Sequence, residues 1–304
     1  MRKPWLDIVL TACLTCSGLA QASPQVHMLR PFDTQSRRAP NGLTIQYQGG
    51  SVFEVAPTVY IVYYGNWTKK DHSVIDGFFS HLGGTTMDKI NTTYSDSNNK
   101  FEPNAVNYNP ATDSYDDKYS LGHSVNFSTI QEILANAIGG AHLPNDTNGI
   151  YFVLTAKDVT GPDGFCAAYC GYHGPSNSIV SGETLEYSMV GNPAQCPKKC
   201  EASAIIGDHN SPNNDPGADG VVNVMWHEFS ESTSDPMFNR IAWNGDCGEN
   251  GDCCAWQFGT RHIAPNGSHY NEKFHGKEYI TQMMLKLTSK SRSGKVPGVC
   301  KNTF

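Results

Sequence analysis

Between Cys16 and Cys166 the 304-residue sequence has no cysteine. The N-terminal half therefore has no disulfide to lean on and must hold together by packing alone. Basic residues are also scarce, 22 Lys and Arg against 29 Asp and Glu, for a formal net charge of −7. Nucleic-acid binders carry basic stripes and membrane-surface proteins carry polybasic patches, so the charge balance speaks against both. The mean hydropathy is −0.43, and the sequence has no apolar run of bilayer-spanning length. Internal repeats and low-complexity tracts are missing too. What is present is 11% aromatic residues, too many for a disordered chain, and 29 Gly with 17 Pro, which suits a loop-rich fold better than a helix bundle. The length allows one or two domains, and a single composite α+β domain fits the pattern best.

The ends of the chain suggest export. Arg2 and Lys3 precede a mostly apolar stretch from Ile8 to Leu19, and Ala20-Gln21-Ala22 follows as a small-residue cleavage pattern. Residues 1–22 therefore read as a secretory signal peptide, and Cys13 and Cys16 leave with it. Eight cysteines remain, at 166, 170, 196, 200, 247, 253, 254 and 300. In an exported chain they predict four disulfides of undetermined pairing. Cys166-x3-Cys170 and Cys196-x3-Cys200 also have tolerable zinc-ligand spacing, but export favours disulfides. Sequons begin at Asn66, Asn91, Asn126, Asn145 and Asn266, so N-glycosylation is expected in a eukaryotic host.

Residues 23–45 are polar and read as a flexible arm. Thr58–Tyr64 and Ile150–Thr155 are β-branched and aromatic throughout, as strands buried on both faces are. Val74, Phe78, Phe79 and Leu82 recur at helical spacing after Asp71, a candidate N-cap. A second helix is predicted over Ser128 to Ile138 and a third over Ala218 to Ser234. Residues 95–125 read as a polar, Tyr-rich excursion, and residues 160–218 as irregular apart from a short strand over 187–190. Tyr279 to Leu287 is a last ordered element of undecided type.

The third helix carries H-E-x-x-E. His227 and Glu231 lie four apart and project from one face, so an imidazole and a carboxylate can share one metal ion. Glu228 occupies the place of the general base in H-E-x-x-H metallopeptidases, with the second His replaced by Glu. Zinc accepts carboxylate oxygen as well as imidazole nitrogen. With 11 His in the chain, chance matches to this pattern number about 0.01. Val222, Met225, Trp226 and Phe229 form an apolar stripe for packing on a sheet, which turns His227 and Glu231 toward a cleft. Asp235, before Pro236, reads as the helix end or an outer-shell partner. A third ligand is expected from the cysteine-pinned turn 245–253, with Glu249 and Asp252 as candidates. His173 is a further candidate, as ligand, substrate contact or oxyanion stabiliser. His262, His269 and His275 are scattered and read as surface residues.

Several blocks together resemble the EXORDIUM / phosphate-induced protein family. They are Gly164-Phe165-Cys166, Cys170-Gly171-Tyr172-His173-Gly174, Val190-Gly191-Asn192-Pro193, Gln195-Cys196-Pro197-Lys198-Lys199-Cys200 and Gly217-Ala218-Asp219-Gly220. His227-Glu228 with Glu231, Asp235-Pro236, the Glu249 to Cys254 turn, and Asn266-Gly267 with Tyr270-Asn271 complete the set. The likeness spans roughly residues 45–287, within a single domain over 46–304. It implies a secreted protein of the apoplast or cell wall, associated in plants with growth control. Microbial-type members resemble zinc-peptidase relatives, and some plant members lack the His-Glu pair. The doubled Cys253-Cys254 and the extra Cys247 depart from the family pattern.

Residues and resemblance together predict an α+β, zincin-like mixed sheet carrying an active-site helix, with a disulfide-rich C-terminal half. Zn²⁺ would sit on His227, Glu231 and an acid from Glu249 or Asp252, with Glu228 as general base and His173 on the oxyanion, acting on a peptide or protein substrate. The rival expectation is a non-catalytic wall protein that binds a glycan or receptor, with Tyr94, Tyr108, Tyr115 and Tyr119 stacking on sugars. A structural calcium site in the acidic turn is a third reading.

Overall fold

A computed structural model describes residues 26–34 and 42–304. The stretch read as a signal peptide lies outside the described residues, as do residues 23–25 and 35–41 of the expected arm. In chain order the first elements are β1 (His27–Leu29), β2 (Thr44–Tyr47), β3 (Thr58–Tyr64), α1 (Lys69–Leu82), β4 (Ser114–Asp117) and α2 (Phe127–Gly139). Then come β5 (Gly149–Thr155), β6 (Gly171–Ser176), β7 (Leu185–Gly191), α3 (Pro197–Cys200), α4 (Ala202–Ile206) and α5 (Pro216–Ser234). The C-terminal part adds β8 (Trp243–Gly245), β9 (His262–Ile263), β10 (His269–Tyr270), β11 (Glu272–Phe274), β12 (Lys277–Tyr279), β13 (Met284–Leu287) and β14 (Lys295–Lys301).

The two β-branched runs lie side by side as β3 and β5, parallel and in register from Thr58↔Gly149 to Tyr64↔Thr155. They form the middle of a six-stranded mixed sheet in the order β1-β6-β7-β5-β3-β4. The four strands from β7 to β4 are parallel, while β6 and β1 run antiparallel at one edge. Residue alternation assigns the two faces. Tyr151, Tyr172 and Tyr187 point to the α2 side, where Phe127 packs on Tyr172 and Gln131 donates to the Tyr187 hydroxyl. Phe152 points the other way, onto Phe79 of α1, which in turn meets Phe229 of α5. Gly171 and His173 flank Tyr172 and so share this α5 face. A four-stranded antiparallel sheet, β13-β14-β2-β8, closes over a second core of Ile45, Trp243, Leu285 and Val296. The architecture is α+β with a mixed sheet, as expected from the sequence.

Local chemistry explains the helix ends. Thr68, not Asp71, caps α1. Its hydroxyl accepts from the Asp71 amide while the Asp71 carboxylate accepts from the Thr68 amide, a capping box that puts Asp71 three residues inside. α5 opens on Asp215 and Pro216, and ends at Asp235, ahead of Pro236. Every α5 residue after Pro216 is buried. The polar side of this helix therefore faces other parts of the protein and not an open cleft, which corrects the expectation from amphipathic patterning.

Other departures have equally local causes. His27–Leu29, inside the segment read as an arm, pairs with β6. Residues 160–218, read as largely irregular, hold β6, the full seven-residue β7 and the short helices α3 and α4. Gly, Pro and Ser in Gly171–Ser176 masked a strand that lies second from the sheet edge, with Pro175 beyond the residues that β1 pairs. The eight cysteines of the described residues all pair, as Cys166–Cys196, Cys170–Cys200, Cys247–Cys253 and Cys254–Cys300, which removes the cysteine zinc cluster. The tyrosines of the excursion pack inward. Tyr94 is fully buried and donates to the Leu285 carbonyl, and Tyr108 donates to Asp76. Of the sequons, Asn91 is buried at 2% exposure and has no surface for a glycan, whereas Asn66, Asn126, Asn145 and Asn266 are exposed.

Two buried carboxyls away from the centre set a pH dependence. Burial pushes Asp88 up from 3.8 to about 7, and pushes Glu272 up from 4.5 to about 8. Each has an oxygen with no hydrogen-bond partner. The folded state holds these protons more tightly than the unfolded chain, so stability falls as pH rises from about 4 to 8. Asp88→Asn and Glu272→Gln should each remove a loss on the order of 2 kcal/mol at pH 8 and change little near pH 4. Thermal melts across that range provide the check, and equal pH profiles for wild type and variants would contradict it.

Candidate metal centre

Three pieces of chain meet at the antiparallel edge of the main sheet. α5 supplies His227, Glu228 and Glu231, β6 supplies His173, and the turn after β8 supplies Glu249 and Asp252. Close approach is possible because glycines stand at both contacts. A Cβ on Gly171 would come within 2.5 Å of Val224 Cγ1 and 2.8 Å of Glu228 Oε1. A Cβ on Gly251 would come within 2.8 Å of His227 Nδ1 and 3.0 Å of Glu231 Oε1. The turn is tied to the helix by Asn250 Nδ2 donating to the Ser230 carbonyl at 3.0 Å and the Asp252 amide donating to Glu231 Oε1 at 2.9 Å. Cys247–Cys253 and Cys254–Cys300 pin its flanks. The second of these closes a loop of 46 residues, worth about 4 kcal/mol on chain entropy alone.

His227 Nε2 lies 3.1 Å from Glu231 Oε2 and 3.8 Å from Asp252 Oδ1. The four-residue spacing thus brings the imidazole and the carboxylate together, and the turn adds Asp252. Donor atoms of His227, Glu231 and Asp252 all lie within 4.8 Å of one another, as do those of His173, Glu228 and Glu231. Glu249 falls elsewhere, with Oε2 at 2.9 Å from His173 Nε2. His173 Nδ1 meets Glu186 Oε1 at 2.8 Å. Both ring nitrogens of His173 are therefore engaged by carboxylates, so it has no N–H left for a substrate oxyanion. His27 joins the group, with Nδ1 at 2.9 Å from Glu249 Oε1. The Phe238 ring sits 4.3 Å from that of His27 and 5.5 Å from that of His173.

The charges are far from ordinary. His173, His227, Glu228, Glu231 and Glu249 are all at 0% exposure. Five carboxyls, counting Glu186 and Asp252, face three imidazoles. Burial acts against the charged His227 imidazole, but Glu231, Glu228 and Asp252 outweigh it and hold it at about 10. Burial works to raise Glu231, and His227 with His173 and His27 overcomes it, leaving the carboxyl at about 2. Burial pushes Glu228 and Glu249 well above the usual carboxylate range, with neighbouring carboxylates adding to it. Asp252 and Glu186 rise to about 7, chiefly through burial.

The donors suit a divalent cation. His227 Nε2, both Glu228 oxygens, Glu231 Oε2 and Glu249 Oε1 are buried with no hydrogen-bond partner among the described residues. Buried polar atoms without partners are rare, and a cation taking nitrogen and oxygen ligands would satisfy this set. The all-oxygen shell of a calcium site is a poorer match, because imidazoles stand among the acids. Gln282 bears on this. Its Nε2 lies 2.9 Å from both His227 Nδ1 and the Gly251 carbonyl. A cation on Nε2 requires the proton on Nδ1 and the amide oxygen of Gln282 turned toward it.

The sequence missed His27, Glu186 and Gln282. Glu186 had a signal, a lone acid between Leu185 and Tyr187 in a run that is otherwise strand-like. His27 and Gln282 had none. Asp235 is the helix end, as read, and its Oδ1 accepts the Ala242 amide at 2.7 Å. Among the scattered histidines, His269 pairs with Asp208 at 2.7 Å, remote in sequence from these elements.

Residues 45–282 match the family model described as the phosphate-induced protein 1 conserved region. The chain is 31% identical over 287 residues to protein EXORDIUM-like 5 of Arabidopsis thaliana, covering 82% of this chain and 77% of that one. It is 29% identical over 222 residues to EXORDIUM-like 3 of the same plant, covering 67% and 64%. It is 27% identical over 223 residues to PHOSPHATE-INDUCED 1 of Nicotiana tabacum, covering 66% and 67%. No solved structure matches the chain.

The close approach at Gly251 has a measurable consequence. Gly251→Ala drives a methyl group against His227 and Glu231 and should destabilise the fold by about 1–3 kcal/mol. Denaturant unfolding measures it, and a variant as stable as wild type would show that the turn does not press on the helix.

Proposed function

This chain belongs to the phosphate-induced protein 1 family, and on that premise we propose that it is a secreted, N-glycosylated, zinc-dependent metallohydrolase of peptidase type. The observation that carries the reading is the convergence of His227, Glu231 and Asp252, with Glu228 beside them and unpaired at both oxygens. A helix that presents these donors from beneath a mixed sheet is what makes the reading zincin-like. Export is supported by the N-terminal leader pattern and by the pairing of all eight cysteines outside it.

In this reading His227, Glu231 and Asp252 hold the cation. Zinc, when bound, polarises a scissile carbonyl and acidifies an attacking water. Glu228 takes the proton from that water and passes it to the leaving amine. Burial raises the Glu228 carboxyl well above the usual carboxylate range, and a neighbouring cation would lower it again, toward the range of a working base. Glu231 has two tasks, since Oε1 accepts the Asp252 amide while Oε2 is turned toward His227. His173 belongs with Glu249 and Glu186 in the donor cluster, and the oxyanion role is not assigned to it.

A second reading is favoured by the sealing of His173, His227, Glu228, Glu231 and Glu249 from solvent. A non-catalytic protein of the apoplast or cell wall could use the same cluster as a structural cation site and bind a glycan or receptor elsewhere. The inward packing of Tyr94 and Tyr108 removes two of its sugar-stacking candidates.

Protein secreted from a eukaryotic host distinguishes the two. Glu228→Gln should retain zinc by elemental analysis and lose peptide hydrolysis by about 100-fold or more. His227→Ala should lose the zinc. Zinc-loaded wild type that cleaves no member of a mixed peptide library would favour the structural reading. A wild type that arrives without zinc and cannot be loaded would end the hydrolase reading and leave the glycan- or receptor-binding protein.

A further inference from the structure

The cluster contains more donors than one ion can use: two of its groups share no residue, and a third, His173, Glu228 and Glu231, bridges them. His227, Glu231 and Asp252 form the group assigned above. His27, His173 and Glu249 form the other, again with one donor atom from each within 4.8 Å of the rest. We propose that His27, His173 and Glu249 bind a second divalent cation of the zinc type, beside the first.

Strand register builds this second group. His27 of β1 is directly opposite His173 of β6 in the antiparallel ladder, so the two side chains stand on the same face. Their ring centroids are 5.7 Å apart. Glu249 reaches both from the turn above, with Oε2 at 2.9 Å from His173 Nε2 and Oε1 at 2.9 Å from His27 Nδ1. The His27 contact lacks hydrogen-bond geometry, and Glu249 Oε1 remains a fully buried oxygen without a partner.

Glu186 fixes the His173 tautomer. Its carboxylate accepts from Nδ1 at 2.8 Å, which leaves Nε2 with a lone pair. That lone pair faces Glu249 Oε2, so two acceptors meet at 2.9 Å with nothing between them unless a proton or a cation is shared. A carboxylate behind the ring and a cation in front is the usual environment of a metal-binding histidine. Two histidines and one glutamate are a ligand set that zinc accepts with a position to spare. His173 Nε2 also lies 3.6 Å from Glu231 Oε2, which makes the two groups immediate neighbours.

The second site does not depend on the hydrolase reading, and one experiment separates them. Secreted wild type is saturated with zinc, desalted, and its zinc counted by elemental analysis beside His27→Ala and His227→Ala. The expected result is about two ions per chain in wild type and about one in each variant. One ion in wild type that survives His27→Ala overturns the second site and leaves the first. One ion lost with His27→Ala but kept in His227→Ala leaves the second site and overturns the proposed function. One ion lost in both variants means a single shared centre and overturns the two-site claim, and no ion in wild type overturns both. His27→Gln, with near-ultraviolet circular dichroism on every variant, guards against a lost fold, and the wild-type count decides on its own if the variants fail to fold.

Discussion

A buried space that encloses more carboxyl groups than imidazoles cannot be neutral with every one of them ionised. With His27, His173 and His227 all charged, the acids of the cluster would still outnumber them, and burial makes every unpaired charge expensive. Shared protons or bound cations must supply the difference. The surrounding structure is organised around keeping these groups together in spite of that cost. Gly171 and Gly251 let strand and turn approach the helix, two disulfides hold the ends of the turn, and Asn250 fastens its middle to the Ser230 carbonyl.

The helix that carries the motif is enclosed on all sides, so its rotamers are set by packing. Phe229, with Trp226 stacked on it, meets Phe79 of α1, while Asn223 accepts the Gln282 backbone amide at 2.7 Å on another side. A centre built on such an element is rigid before any ligand arrives, which suits both a catalyst and a structural ion site. The family match over 45–282 covers every cluster residue except His27. That residue reaches the cluster only because β1 completes the sheet edge.

The frame of the fold was legible where patterning is strong. β3 and β5 showed as unbroken β-branched runs, α1 and α2 as helical spacing, and α5 with its His-Glu-x-x-Glu segment as the carrier of the chemistry. Asp252 and Glu249 were legible as a pair of alternatives, and geometry divided them between two groups of donors. The rest depended on tertiary context. β6 is short and rich in Gly and Pro, yet it pairs between β1 and β7, and its register puts His173 on the helix face. His27 stands in a stretch with no periodicity, and only cross-strand register brings it opposite His173. The expected cleft was a reading of amphipathicity, which marks the polar side of a helix but not whether solvent or another chain segment faces it.

Phe238 gives the centre a hydrophobic cover. Its ring lies against His27 and His173, in the short turn Phe238–Arg240 that follows α5 and Pro236. Anything approaching the histidines from that side must first displace this stopper.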